Sequence, residues 1–94
     1  MASEDPKGPV WLLLNGDLNE DWQLHTIKAM AMIVLWAPDP SESINSWFDE
    51  AVEADHDYLV WAQNTWLEIV NCPAFTCETI IREAEAILAR RRAR

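Results

Sequence analysis

Three short apolar segments, each closed by turn-forming residues, constrain the fold of this chain more than any other feature of its sequence. The segments span residues 10–14, 32–37 and 58–62, and the clusters that follow them are Asn15-Gly16-Asp17, Pro38-Asp39-Pro40 and Gln63-Asn64. A short apolar run that ends at turn residues is typical of a β-strand buried on both faces. The near-regular spacing of the three runs therefore predicts three strands.

Amphipathic segments lie between and after these runs, and their spacing predicts helices. Residues 18–31 and 44–54 carry apolar side chains at helical intervals. A last helix follows Thr76 and has its predicted inner face formed by Ile80, Ile81, Ala84, Ile87 and Leu88. Strands that alternate with helices predict an α/β fold, with a small three-stranded parallel sheet and flanking helices.

An all-α fold, a bundle of three to four helices, is the alternative. In it residues 17–37 and 43–70 are long helices. The apolar stripe that begins at Ile44 and ends at Val70 is interrupted only by Asp55, which keeps this alternative open.

The length of 94 residues allows one domain, near the small end of what folds alone. We expect residues 1–9 to be a flexible lead-in and residues 10–94 to form the domain, with a basic end to its last helix. No apolar stretch reaches the ~18 residues of a membrane-spanning helix, and the polar start is unlike a secretory signal peptide. With Cys72 and Cys77 too few for a disulfide scaffold, we expect a cytoplasmic protein with reduced thiols.

The net charge of −9 is unevenly distributed along the chain. Residues 1–81 hold 14 acidic and two basic side chains, whereas residues 82–94 hold five arginines and two glutamates. The resulting charges are −12 for the body and +3 for the tail. A body this acidic repels nucleic-acid phosphates, so a nucleic acid could be contacted only through the arginine tail.

Six tryptophans in a small chain, and a sheet with two open edges, favour self-association. Combined with the acidic body and the lack of a convincing active site, they predict a non-catalytic interaction protein that forms a homo-oligomer and binds a protein partner. The predicted partner-binding residues are Trp47, Asp49, Glu50 and Glu53 on the acidic face and Arg90, Arg91 and Arg92 in the tail.

Polar residues at the ends of the predicted strands form a candidate ligand site. Ligands of open parallel sheets bind at the carboxyl ends of the strands, where this chain places Asn15, Asp17, Asp39 and Asn64. The two glycines, Gly8 and Gly16, cannot form a glycine-rich phosphate loop. The cysteines and histidines lack the paired spacing of zinc ligands, so we predict no metal and no cofactor.

Several segments resemble nucleoside 2-deoxyribosyltransferase-like proteins. They are the opening VWLLLNG at residues 10–16, EDWQ at residues 20–23, IVLWAPDP at residues 33–40, WFDEAVEADHDYLVW at residues 47–61, and the Pro-x-x-Thr-x-Glu segment at residues 73–78. The resemblance implies a doubly wound α/β fold and an enzyme that acts on an N-glycosidic bond, with Glu78 as the nucleophile. This enzyme is the alternative to the non-catalytic hypothesis.

Overall fold

The computed structural model describes residues 8–93, which form five α-helices and, over that range, no β-strand. The helices are α1 (Pro9–Leu13), α2 (Glu20–Trp36), α3 (Pro40–Glu50), α4 (His56–Ile69) and α5 (Ala74–Arg92). The predicted α/β fold with a three-stranded parallel sheet is therefore wrong, and the described chain is all-α. Most of the predicted lead-in, residues 1–9, lies outside the described residues.

The three predicted strands are all helical. Residues 10–14 largely coincide with α1, residues 32–37 with the end of α2, and residues 58–62 with the start of α4. The β preference of branched and aromatic side chains is worth only about 1 kcal/mol or less per residue, and it depends strongly on context. Burial at helical spacing outweighs it, because Trp61, Thr65 and Ile69 all face the core from α4.

The two long helices of the all-α alternative need one correction. α2 spans most of residues 17–37, but residues 43–70 are split into the end of α3, a turn over residues 51–54 and all of α4. Asp55 is the N-cap of α4, and its Oδ2 accepts the Asp57 N–H at 3.1 Å. The one polar residue that interrupts the apolar stripe is thus where the new helix begins.

Short polar side chains also cap α2 and α3. Asn19 caps α2 by accepting the Trp22 N–H at 2.9 Å, and Asp39 caps α3 by accepting the Glu42 N–H at 3.2 Å. α5 begins at Ala74, directly after Pro73, rather than after Thr76. Caps of this kind satisfy N–H groups that have no partner within the helix.

α2 and α5 form an antiparallel pair at the centre of the fold. α3 and α4 also pack on α2, and α1 packs on α5. Two salt bridges show that the pair is antiparallel. Glu20 at the start of α2 pairs with Arg91 at the end of α5, and Lys28, later in α2, pairs with Glu85, earlier in α5. The buried apolar residues are Val10, Leu24, Ile27, Met30, Ala31, Ile44, Trp61, Ala62, Ile69, Cys77, Ile80, Ala84, Ile87 and Leu88.

The inner face predicted for the last helix is confirmed, with Ile81 only half-buried. Across residues 8–93, none of the helices combines the length and the hydrophobicity needed to cross a bilayer.

Candidate interaction surfaces

The outward face of α2 carries an exposed apolar stripe. Its members are Trp22, His25, Ala29, Met32 and Trp36, which we call the α2 stripe. Successive members are three, four, three and four residues apart, so they follow one line along the helix. Trp22 is 60% exposed, Met32 40% and Trp36 64%.

The opposite face of α2 already fills the core, so within residues 8–93 most of the α2 stripe is left uncovered. Leu24, Ile27 and Ala31 are fully buried. Between Trp22 and Trp36 the only Asp, Glu, Lys or Arg is Lys28, whose Nζ lies 3.0 Å from Glu85 Oε2 on α5. Apart from the imidazole of His25 the stripe is therefore apolar, and it contains no Asp, Glu, Lys or Arg.

An aromatic cluster supports the N-terminal end of the stripe. The ring of Trp22 meets Tyr58 edge-on at a centroid distance of 6.2 Å. The centroid of the Tyr58 ring also lies 6.4 Å from that of Trp47 and 5.6 Å from that of Trp61. The Tyr58 hydroxyl forms a hydrogen bond with the Thr26 hydroxyl. Trp47, a predicted partner-binding residue, is thus half-buried within the molecule.

The arginine tail is partly used inside the chain. Arg91 forms salt bridges with Glu20 and with Asp21. The Arg91 Nη1 lies 2.6 Å from the Asp21 Oδ1. Arg90 and Arg92 are exposed. Arg91 and Arg92 line a cleft of about 420 Å³ together with Asp21, His25, Lys28 and Glu85. Of the other predicted partner-binding residues, Asp49, Glu50 and Glu53 are exposed.

A groove runs between α4 and the chain segment around α1. One cleft, of about 470 Å³, is lined by Asn15, Asp17, Leu18, His56, Asp57, Val60, Trp61 and Asn64. A second, of about 410 Å³, is lined by Leu12, Leu13, Trp61, Asn64, Thr65 and Glu68. Because both clefts share Trp61 and Asn64, we treat them as one surface, the α1–α4 groove.

Three of the four predicted ligand-binding residues lie in this groove. Asn15, Asp17 and Asn64 line the same cleft, whereas Asp39 caps α3 and does not line it. They meet because the loop after α1 packs beside α4, and not because strand ends converge at a sheet edge.

Gln23 fixes the loop that forms one wall of the groove. Its side chain is fully buried, and its Oε1 accepts the Asn15 N–H at 2.6 Å. The two N–H groups of its Nε2 are shared among the carbonyls of Asn15, Leu18 and Asn19, at 2.9–3.2 Å. The Trp61 Nε1–H donates to the Leu13 carbonyl at 2.8 Å, which joins α4 to the same segment. Sequence reasoning missed Gln23, which lies on the buried face of α2, where Thr26 is also buried.

No protein family, curated protein or solved structure matches this chain.

Glu78, the nucleophile implied by the resemblance, is an exposed residue of α5 and lines none of the three clefts. The doubly wound sheet that the resemblance implied is absent from residues 8–93. No three His, Cys, Asp or Glu side chains in that range are grouped so that they could hold a metal ion.

Both cysteines are free thiols. Burial, and secondarily the Glu68 carboxylate, raises the pKa of Cys72, and burial likewise raises the pKa of Cys77, with Cys72 as the lesser cause. A raised pKa keeps a thiol protonated near neutral pH, which disfavours nucleophilic chemistry.

Proposed function

We propose that this protein is a non-catalytic interaction module that self-associates through the α2 stripe and binds a protein partner through a separate surface. The observation that carries the proposal is the α2 stripe itself. The outward face of this 17-residue helix bears two exposed tryptophans and no Asp, Glu, Lys or Arg along the stripe, so it presents apolar surface to solvent.

The spacing of the stripe is that of helix pairing. Intervals of three and four residues are the a and d positions of a heptad, which form the seam between two paired helices. Ala29 lies at the middle of the stripe, where a small side chain lets two backbones approach closely. An antiparallel pair centred on Ala29 places Trp22 of one copy beside Trp36 of the other, so the surface is complementary to itself.

The charges at the two ends of α2 favour the antiparallel arrangement. Arg92 lies with Asp21 and His25 at the start of α2, whereas the exposed Asp39 and Glu42 follow its end. Antiparallel pairing brings the arginine of each copy towards the carboxylates of the other. The net charge of −9 opposes association only weakly, because charges farther apart than about 10 Å are largely screened at 0.1 M salt.

The area available predicts a weak dimer. The exposed parts of Trp22, Met32 and Trp36 amount to roughly 400 Å² per protomer, given side-chain areas of about 150–250 Å². Twice this area is below the ~1,200 Å² of a stable specific interface. We therefore expect a dimer that dissociates on dilution.

Sedimentation velocity over a concentration series tests this proposal. We expect the wild-type protein to sediment faster as its concentration rises, and Met32→Glu to remain monomeric, because the change buries a carboxylate in the seam. Val52→Glu is the matched control, since Val52 is 71% exposed and lies outside the stripe. A wild-type monomer at every concentration, or equal behaviour of the two variants, would contradict the proposal.

A further inference from the structure

We infer that the α1–α4 groove binds a basic amphipathic helix of a partner protein. This inference rests on the proposed function in one respect, namely that the chain binds a protein partner, and it supplies the site and the chemistry of that partner.

The dimensions of the groove fit a short helix. Along α4 its lining residues extend from His56 to Glu68. At 1.5 Å per residue this is about 18 Å, or a little more than three helical turns. A partner helix of about that length could lie along the whole groove and insert one apolar residue per turn.

The floor of the groove is apolar and partly open to solvent. Leu12 is 82% exposed and Val60 is 42% exposed. Leu13 and Leu18 are half-buried, and Trp61 closes the middle of the groove. Burial of this surface supplies the affinity that a charged rim alone lacks.

The rim of the groove is acidic. Asp17 and Asp57 border one cleft and Glu68 the other, while none of the lysines and arginines within residues 8–93 lines either one. The sequence contains no lysine or arginine between Lys28 and Arg82, so α4 carries neither, and His56 is the one nitrogen base among its side chains. A partner with lysines or arginines beside its apolar face matches this charge pattern, whereas an acidic partner is repelled.

The groove is also a fixed surface. The loop over residues 14–19 is held to α2 by the four hydrogen bonds of Gln23, and Trp61 ties α4 to Leu13. A partner therefore meets walls that are already in place, which lowers the entropy lost on binding.

The test uses the full chain labelled with ¹⁵N and a synthetic 14-residue helix of leucine and lysine as the probe. We expect the lysine peptide to shift the Trp61 indole N–H resonance and the amides of residues 12–18 and 56–68. A matched peptide with glutamate at every lysine should leave them unchanged. Shifts confined to α3, where Asp49 and Glu50 lie, would overturn the inference.

Paired charge variants separate a specific site from net charge. Asp17→Lys with Glu68→Lys alters the rim, whereas Asp49→Lys with Glu50→Lys makes the same change in net charge on α3. We expect the first pair to weaken peptide binding at least tenfold and the second less than threefold. Leu12→Ser, a change at an exposed position, should also weaken binding. Equal effects of the two pairs, or none from Leu12→Ser, would overturn the inference.

The dimer variant distinguishes the two proposals. Met32→Glu should abolish self-association and leave peptide affinity unchanged. If Met32→Glu still dimerises and the Asp17→Lys/Glu68→Lys pair abolishes that dimer, the groove holds the arginine tail of a second copy, and the partner inference is wrong. If the wild type is monomeric but binds the peptide in the groove, only the self-association proposal fails.

Discussion

At the scale of single residues, Gln23 links the core to the α1–α4 groove. It is a polar side chain with no solvent exposure, and both its oxygen and its nitrogen are hydrogen-bonded to backbone groups of residues 15–19. When a buried polar side chain is removed, the groups that it bonded lose a hydrogen bond, and this costs free energy wherever water cannot replace it. The loop that forms one wall of the groove therefore depends on this side chain.

We predict that Gln23→Leu lowers the free energy of unfolding by about 1–3 kcal/mol, since part-buried backbone groups of residues 15–19 lose their partner. Urea denaturation followed by circular dichroism measures the loss. Gln63→Leu is the control, because Gln63 is an exposed residue of α4, and it should change stability by less than about 0.5 kcal/mol. Losses of similar size in the two variants would show that Gln23 has no special role.

The thiol of Cys72 gives a prediction on pH. Burial and the Glu68 carboxylate hold its pKa above the ordinary value of 9.0. Glu68→Gln removes the smaller cause, so the pH midpoint for alkylation of Cys72 should fall while remaining above that value. A thiol whose pKa is raised by folding disfavours the folded state once the pH exceeds the unfolded pKa, so stability should decline above about pH 9. An unchanged alkylation midpoint in Glu68→Gln would contradict the assigned cause.

At the scale of helices, exposed side chains of opposite charge flank α2. Arg92, at the end of α5, lies beside the start of α2, and Glu42, in the first turn of α3, follows its end. In the proposed antiparallel dimer we expect Arg92 of one copy to approach Glu42 of the other. Both residues are exposed in the single chain, so reversal of either charge should leave the fold intact.

We predict that Arg92→Glu and Glu42→Arg each weaken the dimer, and that the double variant restores it. Each single change turns an attraction into a repulsion at both ends of the pair, and the double change exchanges the two signs. Dimer dissociation constants from sedimentation equilibrium measure the effect. Additive weakening in the double variant would exclude this pairing of charges.

The helices also show what could be read from the sequence. The inner face of α5 was predictable because apolar residues recur over many positions at one clear period. Residues 32–37 and 58–62 were not, since an unbroken apolar run of five or six residues has no period of its own. Each run lies in the same helix as a neighbouring amphipathic segment. In α2 the helix-favouring stretch Ala29-Met30-Ala31-Met32 joins the amphipathic segment to the apolar run.

The candidate site was predicted in part, and for a different reason. Asn15, Asp17 and Asn64 were grouped because strand ends meet at a sheet edge, yet they meet where a loop packs beside α4. Turn residues are exposed in either fold, so the sequence could identify these residues as exposed polar groups. It could not predict how they are arranged in space. The exposure of the α2 stripe could not be predicted, because in the sequence its apolar residues look the same as those of a buried helix face.

At the scale of the whole molecule, the charge separation found in the sequence becomes a set of contacts between distant segments. Arg91 of the basic tail bonds Glu20 and Asp21, and Lys28 pairs with Glu85. The Glu83 carboxylate accepts the Val10 N–H at 3.2 Å and lies so close to Gly8 that a Cβ there would overlap it. α5 therefore contacts both α1 and α2, the first two helices of the described chain.

These contacts also determine when the molecule can form during its synthesis. The residues that join α5 to α1 and to the start of α2 are 70–73 positions apart in sequence. In a growing chain, the part of α2 that packs on α5 therefore stays uncovered until residues 80–91 have left the ribosome. Because α5 packs last, we expect chaperones to bind the exposed surface of α2 before synthesis is complete. A chain that stops before α5 would expose the same surface permanently, and we expect it to be degraded by proteases.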